Sequence, residues 1–272
     1  MTEPENQKTK MKNTAQQQIQ TQKMKFGLTG LTMLTVTFLA ASSHAASVTF
    51  QSPTAITDTS VLDTILLAYP GATLEQAVGF GLPSVQSVST TGGQTINFAV
   101  GAHATSAPAG TSTELFYSGV QSGSTLYTGD TGSAAFNTVL KSDGWASSAT
   151  GTKPQTLQIG GLTIGNTYAF TLLACDMRST SSSRTEQYSD AISGGNTSAS
   201  FSTANAQAVT GTFTADSSVQ SLYVLQTTIG VSTWDTTISG FTLYAVPEPG
   251  TGAILAGGFG ILLAGFRLRK QK

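Results

Sequence analysis

Short runs of β-branched and aromatic residues, separated by Gly-, Ser- and Asn-rich breaks, recur through the middle of this chain. Runs of this length and composition predict strands, and many short strands joined by turns indicate a sandwich or barrel. Breaks such as 122–124 and 193–197 supply the turn conformations. We therefore predict a mainly β protein built as a single jelly-roll-like β-sandwich. The predicted strands are 48–50, 95–100, 115–117, 157–159, 168–174, 209–214, 222–225 and 238–244.

One segment predicts a helix, from Ala134 to about Ser142. Ser133 before it is a residue type that caps helices, Gly144 follows its end, and its apolar residues fall on one face. We expect this single short helix to lie against a sheet.

The stretch 161–168 resembles the turn that precedes a strand in fibronectin-like and galactose-binding-like sandwiches. In those folds a tyrosine hydroxyl ties the corner to nearby backbone, and Tyr168 is the matching residue.

Charged residues are scarce, and the middle of the chain is acidic. Between Ala46 and Ala245 there are four basic and eleven acidic residues, a net charge of −7. This balance argues against nucleic acid as a partner. The single cysteine, Cys175, cannot form an intramolecular disulfide. We expect a small buried thiol in a strand-like run, with a reactive thiol as the alternative.

The segment 24–45 has a basic start, an apolar stretch and a small-residue end, which predicts a secretory signal peptide. Its last residues are Ser-His-Ala, so we expect signal peptidase to cut between Ala45 and Ala46. Residues 1–23 are rich in Gln and Lys and predict a disordered extension, either a long signal start or the product of an upstream start codon. The β-sandwich domain is assigned to 46–245, and 246–272 form a separate tail.

The tail has three parts: the motif Val246-Pro247-Glu248-Pro249, the apolar stretch 251–266, and a basic end with Arg267, Arg269 and Lys270. The prolines keep the motif extended and accessible. The apolar stretch spans about 24 Å at ~1.5 Å per residue, so as a transmembrane helix it is a marginal anchor for a ~30 Å hydrocarbon core. The basic end stays in the cytoplasm by the positive-inside rule, which places the acidic domain outside the inner membrane.

This three-part tail resembles the PEP-CTERM sorting signal, in which a Val-Pro-Glu-Pro motif precedes a short apolar helix and an Arg-rich end. The resemblance covers only the tail, and Leu268 interrupts the basic run. It implies that Pro247, Glu248 and Pro249 are recognised by exosortase, an integral membrane cysteine transpeptidase. It also implies transient anchoring in the inner membrane, release to the cell surface or extracellular space, and a link to exopolysaccharide and biofilm matrix.

A cluster of charged residues that follows one predicted strand holds both arginines of the domain. Arginine forks, carboxylates and aromatic rings are the groups that bind sugar hydroxyls and stack on a sugar face. The alternative is a structural ion network among Asp176, Arg178, Arg184 and Glu186, with both tryptophans in the core. The candidate glycan-binding residues are Asp176, Arg178, Arg184, Tyr188, Trp145 and Trp234.

The chain contains no nucleophile elbow, phosphate loop or paired-histidine motif, and His103 is the one histidine left after signal removal. We assign no catalytic residue, metal or cofactor, and we leave open a calcium site on an Asp- or Asn-containing loop. We predict a non-catalytic surface or matrix protein with exopolysaccharide as its candidate ligand. Two carboxylates suffice for glycoside hydrolysis, so a secreted glycan-active enzyme is the alternative. The carboxylates available for it are Asp130, Asp143, Asp176, Glu186, Asp190 and Asp235.

Overall fold

Strands dominate the part of the chain that the computed structural model describes, which is residues 46–104, 113–116, 119–147, 155–178, 184–193, 195–227 and 235–248. The predicted extension, the signal peptide and the tail from Pro249 onward lie outside these residues. Among the described residues, no helix has both the length and the apolar character to cross a membrane.

The strands are β1 Thr49–Phe50, β2 Thr54–Ala55, β3 Thr73–Gly79, β4 Gln86–Ser89, β5 Thr95–Val100, β6 Ala102–Ala104, β7 Glu114–Phe116, β8 Gly119–Ser122, β9 Ser142–Ser147, β10 Gln155–Gly160, β11 Thr167–Ala174, β12 Thr185–Ser189, β13 Phe201–Ser202, β14 Gln207–Thr214, β15 Val219–Gln226, β16 Asp235–Ile238 and β17 Gly240–Ala245. The helices are a 3-10 helix Thr59–Asp63 that continues into α1 Thr64–Ala68, and α2 Ala134–Leu140.

The strands form three sheets. The large sheet has the order β1-β14-β11-β17-β3-β5-β4, with β2 also paired to β14. The second sheet has the order β13-β12-β15-β10-β7-β6, and the third has the order β16-β9-β8. Side chains from the first two sheets share one buried cluster, which includes Phe170, Leu243, Leu157 and Val224. The predicted mainly β sandwich is therefore confirmed.

The central strand β11 is buried on both faces, which explains why its sequence reads as a nearly continuous apolar run. Phe170 and Leu172 point into the core between the two larger sheets. Leu173, on the opposite face, joins a second cluster with residues of β4, β5 and α2. Helix α2 and the 3-10 helix therefore cover the outer face of the large sheet.

A glycine makes room for the aromatic packing around Phe170. Gly211 lies opposite both Phe170 and Phe50 in the strand register. A Cβ atom on Gly211 would lie 2.5 Å from the Phe170 ring, whereas the two phenylalanine rings now meet edge to face at 6.0 Å between centroids. The small residue in β14 thus lets two neighbouring strands bring their rings together.

Helix α2 is the predicted helix, and it lies against the sheet as expected. The Ser133 hydroxyl accepts a hydrogen bond from the Phe136 amide N–H at 3.3 Å, so Ser133 is its N-cap. Phe136, Val139 and Leu140 are fully buried. The helix ends at Leu140 rather than near Ser142, because the chain enters β9 at that point.

The prediction of one short helix was wrong, because residues 59–68 also form helical turns. The Asp58 carboxylate accepts a hydrogen bond from the Ser60 amide N–H at 2.7 Å and caps the 3-10 helix. Leu62 and Ile65 anchor these turns in the core. The segment is short and has no repeated apolar periodicity, so tertiary packing rather than helix propensity holds it.

The predicted strand 238–244 is two strands in two different sheets. It divides at Ser239, whose amide N–H bonds to the carbonyl oxygen of Leu173 at 2.8 Å. Gly240 then begins β17, where a Cβ atom would lie 2.7 Å from the carbonyl oxygen of Val78. The close approach of β3 requires the glycine, and the chain changes sheets there.

Tyr168 ties the corner before β11, as the resemblance implies. Its hydroxyl oxygen accepts a hydrogen bond from the Thr163 amide N–H at 2.9 Å, and the side chain is 4% exposed. Gly161 and Gly165, with φ of +76° and +91°, give the turn its left-handed positions.

Cys175 is a buried thiol, as expected. It is 0% exposed, and its Sγ donates to the carbonyl oxygen of Leu126 at 3.1 Å. Burial raises the pKa of this thiol, and the carboxyl of Asp176 raises it further. Thiolate chemistry is therefore suppressed in the folded protein.

Candidate functional site

The last strand that the structure describes ends where the predicted sorting motif begins. Strand β17 lies between β11 and β3 in the large sheet, and its last residue is Ala245. The Val246 amide N–H then donates to the carbonyl oxygen of Thr167 at 2.9 Å, and Val246 is half-buried. Pro247 and Glu248 are exposed. Two residues of the motif therefore lie outside the core directly after a central strand, and Pro249 lies outside the described residues.

The residue after the predicted signal cleavage site belongs to the folded domain. Ala46 is 6% exposed and Val48 is 1% exposed, and both lie in the main core. The Val48 amide N–H donates to the Asp190 carboxylate at 2.9 Å. Ala45 lies outside the described residues.

Both ends of the domain leave the sandwich on the same side. The register aligns Thr49 of β1, Thr212 of β14, Ala169 of β11 and Tyr244 of β17 in one row across the sheet. The chain therefore enters β1 and leaves β17 within a few residues of this row. Three strand spacings separate β1 from β17, which is about 14 Å at ~4.8 Å each.

The predicted charge cluster lies at the opposite end of the sandwich, beyond the last residue of β11. Asp176 is its centre: Arg178 donates from Nε to Oδ1 at 2.7 Å and from Nη2 to Oδ2 at 2.6 Å. Arg184 donates from Nη1 to Oδ2 at 3.1 Å. The side chains of Asp176, Arg184 and Arg178 are 0%, 5% and 30% exposed. The bidentate geometry and the burial describe a structural ion network.

This network links the large sheet to the third sheet through a glutamine. Arg178 Nη1 donates to Gln121 Oε1 at 2.9 Å, and Gln121 Nε2 donates to Asp143 Oδ2 at 3.2 Å. Gln121 lies on β8 and Asp143 on β9. The sequence carried no signal for Gln121, because it lies 57 positions from Arg178 in the chain.

Glu186 adds a fully buried carboxyl to this end of the protein. Its Oε1 accepts a hydrogen bond from the Thr237 amide N–H at 2.8 Å, while Oε2 has no hydrogen-bond partner among the described residues. Burial raises the pKa of Glu186 well above its usual range, and the carboxyls of Asp143 and Asp176 raise it further. The neutral, protonated form is therefore favoured.

The aromatic residues predicted for glycan stacking do not form one exposed platform with the arginines in the described part of the chain. Tyr188 is 1% exposed, and its ring packs against Phe201 with centroids 5.4 Å apart. Trp145 is half-buried on β9, and a Cβ atom on Gly119 would lie 3.1 Å from its indole ring. Trp234 lies outside the described residues. The structure thus brings Asp176, Arg178 and Arg184 together in one ion network.

Each described carboxylate among the candidates for glycoside hydrolysis is either buried or accepts hydrogen bonds from the protein. Asp143, Asp176 and Glu186 are 0% exposed. Asp190 accepts hydrogen bonds from Val48, as described, and from the Asn196 amide N–H at 2.7 Å. The remaining described candidate, Asp130, accepts from Asn137 Nδ2 and the Gly132 amide N–H, and these bonds lower its pKa.

Two candidate residues fall at the edge of what the structure describes. The side chains of His103 and Asp235 lie outside the described residues, although their backbones form part of β6 and β16. Within the described parts of the chain, no group of three or more His, Cys, Asp or Glu side chains has a metal-binding arrangement.

No protein-family model matches the chain, and no curated protein matches it. Solved structures give distant similarity. The chain is similar to the ANXUR2 extracellular domain from Arabidopsis thaliana, with 13% identity and a TM-score of 0.45 over 65% of this chain and 49% of that one. It is also similar to the ANX1 ectodomain from Arabidopsis thaliana, with 12% identity and a TM-score of 0.45 over 65% and 49% of the two chains. The chain therefore spans about half the length of these structures.

Proposed function

We propose that this chain is an exported cell-surface or extracellular-matrix protein, sorted by its carboxyl-terminal PEP-CTERM-like tail. The observation that carries the proposal is the position of the motif directly after the last described strand, β17. Val246 is the last described residue bonded to the sheet, and Pro247 and Glu248 are exposed directly after it. A membrane enzyme can reach such a segment without unfolding the domain.

The short connection between the domain and the apolar stretch supports the same proposal. Four residues, 247–250, separate Val246 from the apolar stretch 251–266. Fully extended, they span about 14 Å at ~3.3–3.6 Å per residue. The motif is therefore close to the bilayer surface when the tail is inserted, where an integral membrane transpeptidase of the exosortase type acts.

The proposed route has two processing steps and a transient membrane stage. Signal peptidase removes the signal peptide between Ala45 and Ala46 during export across the inner membrane. The tail then holds the protein at that membrane until the transpeptidase cuts near Pro247-Glu248-Pro249. The protein finally reaches the cell surface or the extracellular space.

We further propose that the domain is non-catalytic and that exopolysaccharide is its candidate ligand. The burial of Asp143, Asp176 and Glu186 supports a non-catalytic role, because a glycosidic bond must reach both carboxylates of a hydrolase. Arg178 keeps 30% of its side chain exposed and is the charged group of the network that an external sugar can contact. Loss of glycan retention in Arg178→Ala would support binding at this position.

We also propose that the strands of the sandwich are connected as a jelly roll. Antiparallel pairing of most strands supports it, while the parallel pairs β3–β5 and β6–β7 depart from it. Both parallel pairs lie in the outer half of their sheets, away from the central strands β11 and β15.

Fractionation of cells tests the sorting proposal. The variant carries Pro247→Ala, Glu248→Ala and Pro249→Ala, and the matched control carries Glu75→Ala, an exposed carboxylate on β3. We expect the triple variant to accumulate in the membrane fraction, whereas the control is released like the wild type. Equal release of both variants would overturn the proposal.

A further inference from the structure

At one end of the sandwich the chain enters β1 and leaves β17. This end differs in surface chemistry from the opposite end. We define the proximal end as residues 46–48, 161–166, 190–193 and 246–248, which adjoin one another through the register of the sheets and the bond from Val48 to Asp190. The distal end is the region around the ion network of Asp176. Strand β11 runs from one to the other over about 26 Å at ~3.3 Å per residue.

Two turns of the proximal end present large apolar side chains to the outside. Ile164 is 65% exposed at the turn before β11, and Ile192 is 60% exposed at the turn after β12. Both turns are fixed to the domain by hydrogen bonds, from the Gly165 amide N–H to Ala215 O at 2.7 Å and from the Val48 amide N–H to the Asp190 carboxylate at 2.9 Å. These side chains are therefore held outward by hydrogen-bonded backbone.

Basic side chains are absent from the described residues of the proximal end. Arg178 and Arg184 belong to the distal ion network, and Lys141 lies two residues before Asp143 of the same network. Attraction of basic residues to anionic lipid therefore cannot bring the proximal end to a membrane. The inserted tail would act as a tether instead, and a tether raises the effective concentration of exposed apolar side chains at the bilayer surface.

We infer that the proximal end rests on the surface of the bilayer that holds the tail, with Ile164 and Ile192 in the lipid interface and the ion network facing away. The inference rests on the proposed anchoring by the tail. The apolar stretch starts at 251, three residues after Glu248, so the proximal end is within contact distance of the headgroups. The occupant of this surface is therefore the lipid bilayer, and Arg178 is presented away from it.

Site-specific labelling is practical in this chain because the native cysteine is shielded. Cys175 is 0% exposed, and its raised thiol pKa suppresses reaction with maleimides. Single cysteines are introduced as Ile164→Cys and Ile192→Cys at the proximal end. The matched controls are Val100→Cys and Val120→Cys, each 50% exposed in the wild type and located towards the distal end.

The experiment uses the full chain, inserted into vesicles of phosphatidylethanolamine and phosphatidylglycerol, with an environment-sensitive fluorophore on each cysteine. Brominated lipids measure contact with the bilayer, and flotation of the vesicles measures anchoring. We expect quenching at positions 164 and 192 to exceed that at 100 and 120 at least threefold. Flotation with equal quenching at all four positions would overturn this inference and leave the proposed anchoring intact. Protein that does not float with the vesicles would overturn both.

Discussion

The amide N–H of Val246 donates to the carbonyl oxygen of Thr167 over 2.9 Å, and this bond is the last one between the described chain and the large sheet. It joins the end of β17 to the start of β11, two adjacent strands in the middle of the sheet. The tail therefore begins at a central strand, and its removal beyond this bond leaves the described core intact.

Truncation within the tail and truncation within β17 should have very different effects on the stability of the domain. A chain ending after Glu248 should unfold at the same urea concentration as the full chain, because it keeps every residue of the described core. A chain ending after Phe241 loses Leu243 and Tyr244, both 0% exposed. Removing two such side chains costs about 5 kcal/mol or more, a large part of the stability of a domain. Retention of the wild-type midpoint by this shorter chain would contradict the described role of β17.

The tyrosine corner should contribute measurable stability. Tyr168→Phe leaves the Thr163 amide N–H without its partner, so we expect a loss of about 1–2 kcal/mol in the free energy of unfolding. Tyr223→Phe, at a half-buried position on β15, is the matched control and should change stability by less than about 0.5 kcal/mol. Urea denaturation of both variants provides the measurement, and equal losses would contradict the corner's role.

Buried Glu186 should make the domain less stable as the pH rises. Its pKa is raised in the folded state, so the folded protein binds the proton more tightly than the unfolded chain. The resulting stabilisation is complete below the unfolded pKa and is lost as the pH rises towards the folded pKa, by about 1.4 kcal/mol for each pH unit between the two values. Glu186→Gln should remove this slope and be more stable than the wild type at neutral pH.

Unfolding experiments between about pH 5 and pH 8 test this expectation about Glu186, because the unfolded pKa lies below that interval. The matched control is Glu75→Gln, which makes the same substitution at an exposed carboxylate on β3. A wild-type stability that rises over this interval, with the Gln variant less stable throughout, would contradict the raised pKa.

The ion network should respond very differently to loss of its acid and loss of its exposed base. Asp176→Ala leaves buried Arg184 without the carboxylate that it contacts at 3.1 Å, so we expect a loss of about 3–5 kcal/mol. Arg178→Ala removes a partly solvated cation and should cost about 1–2 kcal/mol. Thermal and urea unfolding compare the two, and the reverse order would contradict the described burial.

The strands that enclose the main core could be predicted from sequence, whereas the strands of the third sheet could not. Runs such as Thr95–Val100 and Tyr168–Ala174 alternate or are continuously apolar, and local residue type is enough to identify them as strands. Strands such as Ser142–Ser147 contain Ser, Asp and Gly, and they exist because the strands of the third sheet pair with each other. Long-range pairing of this kind leaves no local pattern.

The charge cluster, too, could be predicted only in part from sequence. Its members were identifiable because charge is rare in this domain, but their burial was not, since sequence does not reveal which face of a loop points inward. Tyr188 was expected to be a stacking platform and packs against Phe201 instead. Its position on β12, two residues after buried Glu186, places it on the inner face of the second sheet.

Sorting is tested by the intact mass of the protein recovered from the envelope and medium of its own host. We expect a released form that starts at Ala46 and ends near Val246, and a heavier, membrane-bound form when Pro247, Glu248 and Pro249 are all changed to alanine. A released wild-type protein that retains the tail to Lys272 would contradict it.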